Sequence, residues 1–218
     1  PEDQIIIAAG IRTNQIGSKH WSQGPRAVDV YDVKADALAV LQDLGAPVER
    51  LQALAEAPAW YHPGRSGVLC LGPKNKLAYF GEIHPGLLKR MDMKGPVIGF
   101  EIFVDALPKS KVKTSATKPH LDLPQLHTVD RDFSFVVNDD VAASEIVNAA
   151  IGADKKLITN VSVFDVFAGG NLNDGKKSIA ISVTLQPMEQ TLTDAEIETV
   201  AAKVIANVIK STGGSLRG

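Results

Sequence analysis

Residues 161–186 read "VSVFDVFAGGNLNDGKKSIAISVTLQ", two strand-like runs around a polar turn rich in Gly and Asn, with a lysine pair on the returning side. The second run alternates: Ile179, Ile181, Val183 and Leu185 fall on one face, Ser178, Ala180, Ser182 and Thr184 on the other. Successive strand side chains point to opposite faces, so this run predicts a sheet with one buried and one open side. Working outward, "DFSFVV" (132–137) also alternates, with Phe133, Phe135 and Val137 on the core face. After "NDD", where Asp139 or Asp140 can cap, Ile146, Val147, Ala150 and Ile151 recur at helical spacing up to Gly152. "TDAE" (193–196) has the spacing of a capping box, with Thr193 as N-cap and Glu196 at N3. Behind it Ile197, Val200, Ala201, Val204, Ile205, Val208 and Ile209 form one apolar stripe. Gly213 and Gly214 stop that helix, and "SLRG" supplies a short last strand. The order is β-α-β-β-α-β. Right-handed crossovers place both helices on one face of a four-stranded antiparallel sheet, the ferredoxin-like arrangement.

The first half is less regular. "QIIIAAGI" is a strand candidate, and "DVKADALAVLQDLG" (32–45) reads as a helix with Leu38, Leu41 and Leu44 at helical intervals. "GVLCL" and "KLAYFGEI", joined by "GPKNK", read as a hairpin, and "PVIGFEIFV" (96–104) as a further strand. Several strands with few helices predict an antiparallel α+β unit. The chain opens on Pro1 and enters directly into a strand, as expected of a piece cut from a longer polypeptide, whose preceding portion would complete the sheet. Between the halves, "LPKSKVKTSATKPHLDLPQL" (107–126) has three prolines, four lysines and little apolar periodicity. It reads as an extended connector, giving an N-terminal unit 1–107, a linker 108–124 and a C-terminal domain 125–218.

Composition limits the partners. Of the 218 residues 44% are hydrophobic and 22% charged, ordinary for a globular chain, and no apolar run approaches the ~18 residues of a membrane span. The single Cys70 excludes an intrachain disulfide and fits a reducing cytoplasm. Residues 1–107 carry 11 Lys and Arg against 12 Asp and Glu, the linker 4 against 1, and residues 125–218 8 against 12. A generally basic surface, the basis of tight non-specific nucleic-acid binding, is therefore absent.

Catalytic signatures are scarce. "HPG" occurs at 62–64 and at 84–86, and with Cys70 it invites a zinc reading, but the spacing matches no closed ligand set; Pro and Gly more simply shape turns there. Asp29, Asp32, Glu82 and Glu101 are carboxylates without a spacing that pairs them. Neither a P-loop nor a GxSxG elbow is present. Arg65 in "HPGRSG" suits either a clamp for an anionic ligand or a structural ion pair. In the C-terminal domain the RNP1 signature is missing. Phe164 and Phe167 should point to opposite faces of their strand, leaving one exposed ring beside Lys176 and Lys177 for a single-stranded RNA base. The alternative places both rings in the core, with lysines that only solubilise the hairpin tip.

Taken together, "RDFSFVV", "VFDVFAGGNLNDGKKSIAISVTLQ", "QTLTDAEI" and "GGSLRG" resemble the ferredoxin-fold anticodon-binding domain that closes the beta subunit of bacterial phenylalanyl-tRNA synthetases. "VDVYDVKADALAVLQDLG", "YHPGRSGVLCLG", "FGEIHPGLLKRMDM" and "VIGFEIFVDAL" are similar to the end of the same subunit's class II synthetase-like, non-catalytic domain. The resemblance implies docking on an alpha subunit within an (αβ)₂ enzyme that charges tRNA-Phe using ATP and Mg²⁺, both bound outside this region. No GxGxxR class II motif occurs here, and the resemblance implies no catalytic, cofactor or metal residue in these positions. It implies tRNA contacts at Phe167, Lys176, Lys177, Arg131 and Arg217, with Asp132 and Asp165 holding turns or pairing with Arg131. Phe167 stands where the family usually has Tyr, which removes a hydroxyl, and Gln190 where it commonly has Arg, which removes a charge. The rival expectation is a ferredoxin-like module that binds a polypeptide or a small ligand without RNA.

Overall fold

A computed structural model describes residues 4–22, 24–108, 120, 123–169, 172, 174–188 and 190–217. Most of the expected linker, 109–119 and 121–122, lies outside the described residues. The chain divides into two compact units, Pro1–Ala116 and Thr117–Gly218.

The first unit is built on a five-stranded antiparallel sheet of β1 (Ile7–Thr13), β4 (Leu51–Leu54), β5 (Tyr61–Leu71), β6 (Asn75–Ile83) and β7 (Val97–Phe103), in the order β1-β7-β6-β5-β4. A two-residue pair, β2 (Gln15–Ile16) and β3 (Arg26–Ala27), precedes helix α1 (Val30–Asp43), and α2 (Pro85–Arg90) follows β6. Helix α1 begins two residues before the expected start because Asp29 caps it. The Asp29 carboxylate accepts from the backbone N–H of Tyr31 and Asp32, and Asp32 accepts in return from that of Asp29. The buried face of α1 is Val33, Ala37 and Leu41, packed with Leu69, Leu77, Phe80, Ile98 and Ile102 of the sheet. Leu44, expected on that face, sits at the C-cap and is 45% exposed.

The second unit has the β-α-β-β-α-β order: β8 (Val129–Asn138), α3 (Ala143–Ile151), β9 (Ile158–Ala168), β10 (Lys176–Leu185), α4 (Asp194–Thr212) and β11 (Ser215–Leu216). The sheet order is β11-β8-β10-β9, all antiparallel. Phe135 and Val137 of β8 and Ile179, Ile181, Val183 and Leu185 of β10 form one core with Ile146 and Ala150 of α3 and Ile197, Val200, Val204 and Val208 of α4. Both helices thus cover one face of the sheet, as the alternation of β10 demands. Thr193 caps α4, with Glu196 completing the reciprocal box. At the start of α3 the expectation fails: neither Asp139 nor Asp140 caps. Their stretch is consumed by a turn, with Val141 N–H bonded to Asn138 O, so the N-cap falls on Ala142, whose N–H is taken by the Glu145 carboxylate.

Gly213 ends α4 in the left-handed conformation, at φ 65°. Gly214 then passes so close to β8 that an added Cβ would lie 2.7 Å from Val137 Cγ1 and 2.8 Å from the Val136 carbonyl oxygen. Gly214→Ala is expected to destabilise the second unit by about 1–3 kcal/mol through overcrowding, read as a lower urea midpoint, and to loosen β11 from β8. In the first unit, hydrogen bonds from the Arg26 side chain and the Asp29 backbone hold the Asp32 carboxyl down to about 2. A depressed carboxyl stabilises the fold fully above its unfolded value and loses that contribution as pH falls toward its folded one. Carboxyl NMR should therefore find Asp32 titrating near pH 2, and Arg26→Met should move it upward.

Candidate nucleic-acid interface

The face of the β11-β8-β10-β9 sheet away from the helices is defined by cross-strand neighbours. One row runs Phe167, Ser178, Val136, Ser215; the next runs Asp165, Ala180, Ser134, where the Arg217 N–H bonds to the Ser134 carbonyl at 2.7 Å. Lys176 stands opposite Asn138 at the hairpin end, while Ser182 and Thr184 stand opposite Asp132 and Asp130 at the other. The face is therefore polarised. Its hairpin half carries a phenyl ring and two cations with Asp165 one row further in, and its far half carries two more aspartates, one accepting from Thr184 Oγ1 at 2.7 Å.

Although no helix covers this side, Ser178 and Ala180 are buried, at 4% and 9% exposure. Both are small residues on the interior strand β10, Ser178 between Phe167 and Val136 and Ala180 between Asp165 and Ser134. The Arg217 guanidinium, entering just past β11, lies 6.0 Å from the centroid of the Phe167 ring on β9. Beside them Ser134 and Ser178 share a hydrogen bond of 2.9 Å between their hydroxyls.

Strand β9 departs from simple alternation. Ala180 pairs with Asp165 and Ile181 with Val163, so Phe164 has no partner and forms a bulge; Thr159 is skipped in the same way. The two rings therefore do not divide between an open face and a core. Phe164 and Phe167 are 58% and 43% exposed, and Val163 and Val166 also lie open at this edge.

Of the five sequence-selected contacts, the structure groups Phe167, Lys176 and Arg217 on the open face. Arg131 and Lys177 fall on the opposite parity, against Val183 and Val137. Arg131 reaches Glu198 of α4 at 4.0 Å, rather than Asp132 or Asp165, because those two aspartates project from the other side of the sheet. Lys177 donates from Nζ to the Asp139 carbonyl at 2.7 Å. The sequence reading gave Asp165 only a structural role. Asp165 shares the open face with Phe167, two residues on, by simple alternation; the bulge at Phe164 instead resets the parity of Val163 and the residues before it.

The first unit offers no comparable chemistry among the described residues. Arg65 makes a two-pronged ion pair with Glu82, Arg12 with Asp36 and Arg26 with Asp32. Each guanidinium lowers its partner's pKa, so none of these three carboxylates is poised as a base near neutrality. Burial pushes the Cys70 thiol up, away from the reactive thiolate. His62 and His84 each accept through Nδ1 from the glycine N–H two residues on, which is the turn role of the two HPG segments. No group of three His, Cys, Asp or Glu among the described residues could hold a metal, and no described helix is long and apolar enough to cross a membrane.

Residues 124–217 match the family described as the ferredoxin-fold anticodon binding domain, and residues 3–104 the phenylalanyl tRNA synthetase beta chain CLM domain. This chain belongs to the phenylalanyl-tRNA synthetase beta-subunit family. It is 53% identical over 218 residues to the phenylalanine–tRNA ligase beta subunit of Paramagnetospirillum magneticum, and 52% identical to those of Rhodospirillum rubrum and Bradyrhizobium diazoefficiens. All of this chain is covered in each case, but it spans only 27% of the length of these relatives. The match to the anticodon-binding family covers the unit that bears the polarised open face.

Proposed function

We propose that this region serves a phenylalanine–tRNA ligase in two ways: its first unit docks on the alpha subunit of an (αβ)₂ enzyme, and its second grips the anticodon region of tRNA-Phe. The carrying observation is the exposed Phe167 ring on a helix-free sheet face, flanked by Lys176 and faced by Arg217. An unpaired base stacks on such a ring, and the neighbouring cations meet phosphate. Asp130 and Asp132 repel phosphate from the far half, so the RNA strand lies at the hairpin end. Lys177, turned to the helix side, contributes only to the field around that end, and Arg131, opposite Val183 and beside Glu198, lies away from it. Docking is supported by apolar surface on the first unit, where Trp21 is 93% and Ile11 67% exposed, with Trp60 and Met91 also open.

The chemistry belongs to the whole enzyme, in the cytoplasm: phenylalanine and ATP, with Mg²⁺, give phenylalanyl-adenylate, and the acyl group passes to the terminal adenosine of the tRNA. No residue of this region is assigned a catalytic role. The region alone should give no phenylalanine-dependent pyrophosphate exchange, and exchange should appear only with the alpha subunit and the rest of beta present.

A second reading, a polypeptide partner for the anticodon-binding unit, draws on the free edge of β9 with Val163, Phe164 and Val166 exposed. Salt separates the two. Binding of a tRNA-Phe anticodon stem-loop, followed by fluorescence anisotropy, should weaken with salt, and Lys176→Glu should change the log–log slope by about one phosphate's worth, ~0.7. Phe167→Ala should cost about 1–3 kcal/mol at every salt concentration. An unchanged affinity in Phe167→Ala would overturn the RNA assignment.

A further inference from the structure

We infer that the junction of Asp174 and Gly175, in the turn that leads into β10, is a site of spontaneous aspartate isomerisation. There the chain converts to an isoaspartyl form that carries one extra carbon in its backbone.

The sequence singles out the place. Asp174 is the only aspartate followed by glycine, and no asparagine is followed by one. The step requires the Gly175 nitrogen to reach the Asp174 side-chain carboxyl, and a residue without a Cβ leaves that nitrogen least shielded. Every other aspartate precedes a larger side chain; for Asp29, Asp32, Asp140 and Asp165 it is valine. Several also have their carboxylates engaged. Asp29 and Asp154 accept from backbone N–H groups, Asp32 and Asp36 hold arginines, and Asp130 accepts from Thr184.

The structure keeps the place open. Asp174 and Gly175 are both exposed turn residues, and no described residue forms an ion pair with the Asp174 carboxylate. Gly175 has a φ of 77°, the left-handed turn conformation, and a Cβ added to it would meet no atom within 4 Å. The aspartate side chain therefore swings onto the next nitrogen without displacing a neighbour.

The chemistry closes without a co-reactant. The Gly175 nitrogen bonds to Asp174 Cγ, the carboxyl hydroxyl leaves as water with the nitrogen's proton, and a five-membered imide results. Water then adds to one of the two imide carbonyls. Cleavage between nitrogen and Cγ restores aspartate. Cleavage between nitrogen and the main-chain carbonyl carbon leaves Cβ and Cγ in the backbone and the former main-chain carboxylate as the side group. One water leaves and one returns, so mass is unchanged.

The product lengthens the turn by one bond, about 1.5 Å. The adjoining rung has no slack for it: the Gly175 carbonyl accepts from the Asp139 N–H at 3.0 Å, just before Lys176 pairs with Asn138. Isomerisation breaks that rung, and it does so beside the lysine of the open face.

The test holds the 218-residue chain at neutral pH and body temperature for days to weeks, beside a synthetic peptide of residues 171–179. Isoaspartate is read by methylation of its free carboxylate with an isoaspartyl methyltransferase and labelled S-adenosylmethionine, and is located by electron-transfer fragmentation. Label should accumulate at 174 in the folded chain within about ten-fold of the peptide's rate, ~1.4 kcal/mol in the barrier. Asp174→Glu, which would have to close a six-membered ring, should remove it. Amide exchange at Asp139 should quicken in the aged fraction. Label in the peptide but not at 174 of the chain would overturn the inference, as would label that persists in Asp174→Glu. Isoaspartate at 174 with Asp139 still protected would overturn the broken rung. No RNA enters the measurement, so its outcome is separate from that of the tRNA assignment.

Discussion

Strand β10 must satisfy two environments at once. Ile179, Ile181, Val183 and Leu185 require cover from water, and each buried aliphatic side chain of this kind contributes about 1.5–3 kcal/mol. The only cover available in sequence is α3 and α4, so both helices are drawn to one side. The residues between them, Ser178, Ala180, Ser182 and Thr184, neither need nor attract a helix. The open face is thus the complement of the core, and its small central residues leave room for long side chains from the edges. Everything assigned to RNA follows from that division of labour within one strand.

The elements of the second unit were legible because each carries its own local signal. The Thr193–Glu196 box, the spacing of the α4 stripe and the Gly213 stop act within a few residues. The family resemblance was equally visible, since the quoted segments run in order through both halves. What could not be read was anything set by pairing between distant strands. The bulge at Phe164 arises from how β9 meets β10, and it breaks the alternation between Val163 and Asp165, which face opposite sides of the sheet. Arg131 and Arg217 look alike in sequence as basic residues near strand ends. One lies on the helix side beside Glu198 and the other crosses the opposite face, a difference of parity on a sheet whose register depends on residues some eighty positions apart. The cap of α3 was misread for a related reason: the aspartates before it were used by the turn against Gly175 and Asn138.

In the first unit, charge serves architecture. Arg26 secures the two aspartates that open α1, Arg12 links β1 to Asp36 on that helix, and Arg65 joins β5 to Glu82 on β6. Pairs this exposed add modestly to stability and more to fixing which surfaces face each other. Their carboxylates are held ionised by those guanidinia, so the charges fasten neighbouring elements and are not poised as bases near neutrality.

The two skipped residues of β9 have an effect on solubility as well as on aim. An outer strand that long, with valines and phenylalanines open to water, would ordinarily serve as a template on which another chain could zip. Thr159 and Phe164 interrupt the ladder so that regular pairing geometry survives only over 160–163 and 165–168. Segments that short offer an incoming strand few consecutive bonds, so the irregularity that turns a side chain outward also blunts this edge as a template for regular pairing.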